Sequence, residues 1–185
     1  MEALRKEKRY TYEDYYAWDD DGRWELIDGV PYAMSPAPSQ AHQTILGSLF
    51  SQLYSFLEGK PCKVFVAPFD VRLNPNSYDD TVVQPDILVV FNDDKLDGKC
   101  CVGAPDMVIE ILSPSTAIKD KNIKFNKYLQ AGVREYWIVD PGIMEVSAYT
   151  LDSGRYYAAS YADGEAAPVH VLDGCVIDLG RVFAG

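Results

Sequence analysis

Residues 82–91, VVQPDILVVF, and residues 106–112, DMVIEIL, constrain this chain more than any other stretch. Both are short, apolar and rich in β-branched residues, so each predicts a strand buried on both faces. Each also carries an acid inside its apolar run, Asp86 in the first and Glu110 in the second. A buried carboxylate costs several kcal/mol unless it is paired, protonated or bound to a metal. The fold must therefore bring compensating charge to two neighbouring strands. A hard cation such as Mg2+ or Mn2+ is one solution, since it takes oxygen ligands and keeps several waters. A nearby Lys or Arg, or a strand end open to solvent, is the other.

Around these two segments the pattern predicts a single domain over residues 11–185, preceded by a polar, frayed stretch over 1–10. Thr11 followed by Glu13 and Asp14 reads as the start of a short helix over 11–18, and Asp19 to Gly22 as a turn. Strands at 24–27 and 30–34 flank Asp28-Gly29, a strong hairpin signal. His42, Ile45, Leu46, Leu49, Leu53, Phe56 and Leu57 recur at helical spacing, which predicts a helix over 39–58 ended by Gly59. Residues 63–73 predict a strand, as do 82–91 and 106–112. Pro114, Ser115 and Thr116 lead into a helix over 117–131 closed by Gly132, and 135–139 reads as an apolar strand. The remainder predicts a meander of short strands: VSAYTL, YYAASY, VHVL and CVIDL. The order gives an α/β fold, a mixed sheet with helices on both faces.

Composition narrows the functional classes. No apolar run approaches the roughly 20 residues that span a bilayer, and residues 1–10 hold no apolar leader segment. Cys62, Cys100, Cys101 and Cys175 form no C-x-x-C pair, and the chain has only 2 His, which argues against structural zinc. Scattered cysteines and no leader predict free thiols in a reducing cytoplasm. The net charge of −11 argues against binding nucleic acid through a broadly basic surface. Carboxylates awaiting a metal account for part of it, and Lys119, Lys121, Lys124 and Lys127 form a local basic run.

Other polar residues stand near this pattern. Asp106 shares a strand face with Glu110 but lies about 13 Å away along the strand, too far to share one metal, so it reads as a strand-start residue. Asp120, Lys124 and Tyr128 are four apart on one helix face. Lys124 could reach back toward Glu110; on spacing alone an exposed lysine paired with Asp120 fits better. Glu25 reads as an exposed hairpin position, and His42 as a hydrogen-bonded core histidine. His170 has no visible partner. Neither a phosphate loop, a dinucleotide fingerprint nor a nucleophile elbow is present.

Taken in order, WELIDGVPYAMSPAPSQAHQ, QPDILVV, PDMVIEILSPST and the run from Asp120 through KFNKYLQAGVREYWIVDP resemble the bacterial restriction-endonuclease-like family of the PD-(D/E)XK superfamily. The resemblance extends from Thr11 to the closing VIDLGRVF. It implies an α-β-β-β-α-β core with the C-terminal meander as an addition. It implies that Asp86 and Glu110 bind Mg2+ or Mn2+ and that Glu25 completes the metal set. The superfamily lysine lies two residues after the second acid, where this chain has Leu112, so Lys124 on the following helix is the matching position. Gln84 also matches a frequent family position.

The activity so implied is metal-dependent endonucleolytic hydrolysis of DNA, with Lys124 assisting the attacking water and a 5′-phosphate left on the product. Specificity would come from loops at 74–80 and 92–99 or from a homodimer that places two sites on a duplex. Two alternatives remain at the level of sequence. One is a non-catalytic binding or assembly protein on the same fold, and the other a hydrolase of RNA or of small phosphodiesters.

Overall fold

The computed structural model describes residues 8–19, 22–34, 37–114 and 117–184. Most of the frayed stretch expected over 1–10, part of the Asp19 to Gly22 turn, and Ser115 and Thr116 lie outside the described residues.

The chain opens with helix α1 (Tyr12–Tyr16), started by a capping box in which the Thr11 side chain and Asp14 serve each other's backbone amides. Strands β1 (Trp24–Ile27) and β2 (Val30–Ala33) pair antiparallel about Asp28 and Gly29, both at positive φ. That is the backbone a two-residue hairpin requires, and glycine adopts it without steric cost. Helix α2 (Gln40–Leu57) is capped by Ser39, whose side chain accepts from the His42 amide. Its stripe buries Ile45, Leu49, Leu53 and Leu57; Leu49 and Leu53 are 0% exposed, and each contributes roughly 2 kcal/mol by leaving water.

Two expected strands each prove to be two. The 63–73 run divides into β3 (Lys63–Val66) and β4 (Val71–Arg72), which belong to different sheets. Between them lies the cis Ala67–Pro68 peptide, and Phe69 folds back to stack on Phe65 at 4.6 Å. The 82–91 run divides into β5 (Val82–Val83) and β6 (Ile87–Val90). Pro85 has no N–H to offer a ladder, and the preceding Gln84 amide donates to the Glu25 side chain instead. Asp86 therefore stands at the mouth of β6, not inside a strand. After β7 (Cys101–Val102) comes β8 (Met107–Ile111), buried at every position.

The next helix begins with a wide π turn over Lys119–Lys124 and continues as α3 (Phe125–Ala131), closed by Gly132 in the left-handed conformation. Strand β9 (Glu135–Asp140) runs parallel to β8, and β10 (Glu145–Asp152) and β11 (Arg155–Ala162) continue the sheet antiparallel. The strand expected at VHVL is a turn: β12 (Ala166–Pro168) precedes it and β13 (Val176–Asp178) follows. Leu172 N reaches Val169 O and Cys175 N reaches Leu172 O, so the backbone is satisfied locally. Helix α4 (Leu179–Phe183) ends the fold.

The architecture is the expected mixed α/β one. The core order α2, β3, β6, β8, α3, β9 is α-β-β-β-α-β, and the central sheet runs β11-β10-β9-β8-β6-β3. Alternation along β8 sends Ile109 and Ile111 toward α2 and α4, with Trp137 and Val139 beside them. It sends Val108 to the other face, with Tyr136, Ile138 and Tyr128, against α3 and the smaller sheet β2-β1-β5-β4-β7. Glu110 shares that second face by period. No helix of the described residues is long and apolar enough to cross a membrane. The four cysteines are free thiols.

Candidate functional site

Glu110 projects from the middle of β8 toward α3 and is 4% exposed. Its Oε1 accepts from Lys124 Nζ at 2.8 Å and from Tyr128 Oη at 2.7 Å. Lys124 and Tyr128 are one turn apart, so one helix face delivers both to one carboxylate oxygen. Lys124 is 3% exposed, not the solvated lysine that its spacing alone favoured.

Asp86 reaches the same place from the mouth of β6, which pairs antiparallel with β8. Its Oδ2 accepts from the Ile111 amide at 2.7 Å and lies 3.3 Å from His42 Nε2. His42 thus belongs to the site and not to the inert core that its place on the α2 stripe suggested. Asp86, Glu110, His42, Lys119, Asp120 and Lys124 line one cavity of about 680 Å³.

Glu25, which the resemblance implied as a third metal ligand, meets two lysines and a backbone amide. Its Oε1 accepts from Lys124 Nζ at 2.7 Å and from the Gln84 amide at 3.0 Å, and its Oε2 from Lys119 Nζ at 2.6 Å. Both oxygens are committed to protein donors, and the side chain is fully buried. Glu25 is a lysine-holding residue, and nothing in its hairpin pattern signalled burial. Gln84 ties the site to the smaller sheet: its amide holds Glu25, and its side chain donates to Asp70 at 2.8 Å and accepts from Arg23 at 3.0 Å. Asp106 is a strand-start residue, accepting from the Phe91 amide at 2.9 Å and paired with Lys95 and Arg134.

Electrostatics follow from this packing. Burial pushes the Glu110 carboxyl up to about 8, with Lys124 pulling the other way and the neighbouring acids adding to the rise. Burial alone would depress Lys124, but Glu110, Glu25 and Asp120 outweigh it and hold the ammonium charged. For Glu25 burial is again opposed, and Lys124 and Lys119 bring its carboxyl below the ordinary value. The Asp86 hydrogen bond raises His42 against a smaller desolvation effect.

Whether a metal suits this site is a question of donors. Among the described residues, no three His, Cys, Asp or Glu side chains form a metal-holding group. Two carboxylates do converge, Asp86 with Oδ2 on the Ile111 amide and His42, and Glu110 with Oε1 on Lys124 and Tyr128. The cavity wall carries Glu25, Asp86, Glu110, Asp120 and Asp140 against Arg23, Lys119 and Lys124, so acids outnumber cations there. Mg2+ is commonly held by one or two carboxylates with waters completing its shell, and this donor set fits it.

A protein of Synechocystis sp., slr1290, is 27% identical over 154 residues, covering 80% of this chain and 78% of its own length. A crystal structure from Anabaena variabilis, described as a "putative nuclease belonging to DUF820", superposes with a TM-score of 0.76. It shares 19% identity, covering 94% of this chain and 97% of its own, and so speaks for the fold. A family model matches residues 12–180, nearly the whole chain, and on that match the chain belongs to the Uma2 family, described as "Putative restriction endonuclease".

Proposed function

We propose that this chain is a divalent-metal-dependent nuclease that hydrolyses DNA phosphodiester bonds. The observation that carries the reading is the convergence of Asp86, Glu110 and Lys124, from three separate elements, on one cavity in a chain of this family. Asp86 and Glu110 are the residues that would hold Mg2+ or Mn2+. When bound, the metal supplies a water of lowered pKa and neutralises phosphate charge.

The remaining chemistry belongs to side chains already in place. Lys124, kept protonated, orients the attacking water or stabilises charge on the phosphate as it develops. Glu25 and Asp120 fix that ammonium from behind, at 2.7 and 3.8 Å. Tyr128 holds the Glu110 oxygen that Lys124 also contacts, and His42 with the Ile111 amide fixes Asp86. This pre-organisation means that no polar group need reorient at the moment of reaction.

The test is supercoiled plasmid cleavage with Mn2+ or Mg2+. Asp86→Asn, Glu110→Gln and Lys124→Met each lower the rate by at least about a hundredfold while circular dichroism stays unchanged. Full activity in Asp86→Asn would refute the assignment. The net charge of −11 favours a second reading, a non-catalytic binding or assembly protein on the same fold. No uptake of Mn2+ in isothermal titration, with plasmid, structured RNA and a chromogenic diester all left intact, selects it.

A further inference from the structure

Strand β11 is the outer strand of the central sheet, paired with β10 and, among the described residues, with no other strand. It is eight residues long, RYYAASYA, with neither proline nor lysine. Soluble proteins protect such edges with proline, lysine, a bulge or shortness. The opposite edge obeys that rule: β3 is four residues long and opens with Lys63. On β11, Tyr157 is 59% exposed.

The hairpin fixes which backbone groups are free. Ser153 and Gly154, both at positive φ, form a two-residue turn, so Asp152 and Arg155 exchange hydrogen bonds and odd-numbered residues of β11 face β10. Flanking bonds agree with this phase: Leu151 N reaches Arg134 O at 2.8 Å, and Asp163 N reaches Met144 O at 3.0 Å. The N–H and C=O of Tyr156, Ala158 and Ser160 therefore point outward. Those of Ala162 do too, but Glu165 closes them, its carboxylate accepting from the Ala162 amide at 2.6 Å and its own amide donating to the Ala162 carbonyl at 3.1 Å.

We propose that β11 pairs antiparallel with β11 of a second copy of this chain, about a two-fold axis at Ala158, making one sheet continuous across a homodimer. This register uses the free groups and no others: Tyr156 faces Ser160 of the second copy and Ala158 faces its counterpart, for about six backbone hydrogen bonds. On the neighbouring face Tyr157 lies over Ala159 of the second copy, a large residue on a small one. Arg155, at the start of the strand, comes opposite Tyr161 of the second copy and within diagonal reach of Asp163. A cationic start thus meets an aromatic and acidic end at both extremities, which an antiparallel two-fold permits and a parallel pairing does not. The surface lies apart from the cavity and does not depend on the proposed reaction.

Sedimentation velocity on the full chain at tens of micromolar tests this. The wild type sediments as a dimer. Ser160→Pro sediments as a monomer with an unchanged far-ultraviolet spectrum, because the Ser160 amide faces outward and its loss costs the β10 ladder nothing. Arg155→Glu weakens the dimer by at least about tenfold through two symmetric contacts, and Arg155→Glu combined with Asp163→Lys recovers it. A wild type that is monomeric at these concentrations overturns the proposal, and so does a dimer that survives both Ser160→Pro and Arg155→Glu.

Discussion

Lys124 sits among three carboxylates, and its surroundings decide what each can do. Glu25 Oε1 lies at 2.7 Å, Glu110 Oε1 at 2.8 Å and Asp120 Oδ1 at 3.8 Å, with all four side chains almost fully buried. Removing one partner of a buried ion pair leaves the other charge uncompensated, which costs more than the pair gains. Glu25 holds two ammonium groups, so Glu25→Gln should lower unfolding free energy by about 3 kcal/mol at neutral pH, read as a lower urea midpoint. The pH dependence has a definite sign. The folded Glu25 carboxyl lies below its unfolded value, so its stabilisation is present above the unfolded value and is lost as pH falls through the folded one. The gap between wild type and Glu25→Gln should therefore shrink on acidification. A gap that widens instead would mean Glu25 is neutral in the native state.

The wide turn over Lys119–Lys124 is the element on which the site depends. It lets Lys119 and Lys124 both reach Glu25, at 2.6 and 2.7 Å, although an ordinary helix sends residues five apart to different faces. Deleting Asn122 should restore the tighter α spacing and leave α3 intact, with Lys119 and Lys124 now four apart, roughly 40° from one another about the helix axis and still on the face that meets Glu25. Cleavage should then persist with unchanged helical circular dichroism; lost cleavage would show that the wide turn itself, and not the shared face, sets the site. Much else at this scale was legible in the sequence. The hairpin at Asp28-Gly29, the stripe of α2 and the closing Gly132 are local signals, and each element formed where it pointed. What was hidden depends on the sheets. Residues 63–73 and 82–91 look like single strands because both halves of each are apolar, and only proline placement hints that the halves join different sheets. Asp86, Glu110 and Lys124 were legible as an ordered pattern. The burial of Glu25 and the approach of His42 to Asp86 were not, because each is fixed by packing between segments distant in sequence.

At the scale of the whole molecule, a chain of net charge −11 must bind a polyanion if it cleaves DNA. Lysines near the cavity are largely committed within the protein, Lys119 to Glu25, Lys121 to Asp140 at 3.4 Å and Lys127 to Asp28 at 2.6 Å, while Arg23 on the cavity wall donates to the neutral Gln84 side chain. Each phosphate that a free Lys or Arg neutralises adds about 0.9 to the slope of log affinity against log salt. With few uncommitted cations that slope should stay below about 3, shallow for a protein that holds duplex DNA. Attraction must then come from the metal at Asp86 and Glu110. For Lys124→Met, which is expected to bind without cleaving, DNA affinity should rise at least about tenfold when Mn2+ replaces a chelator, because a divalent ion offsets two of the charges that repel the phosphate. Fluorescence anisotropy with a labelled duplex reads both quantities. A steep salt slope with no response to Mn2+ would mean that a basic surface does the binding, and the anionic cavity would then have no part in holding the substrate.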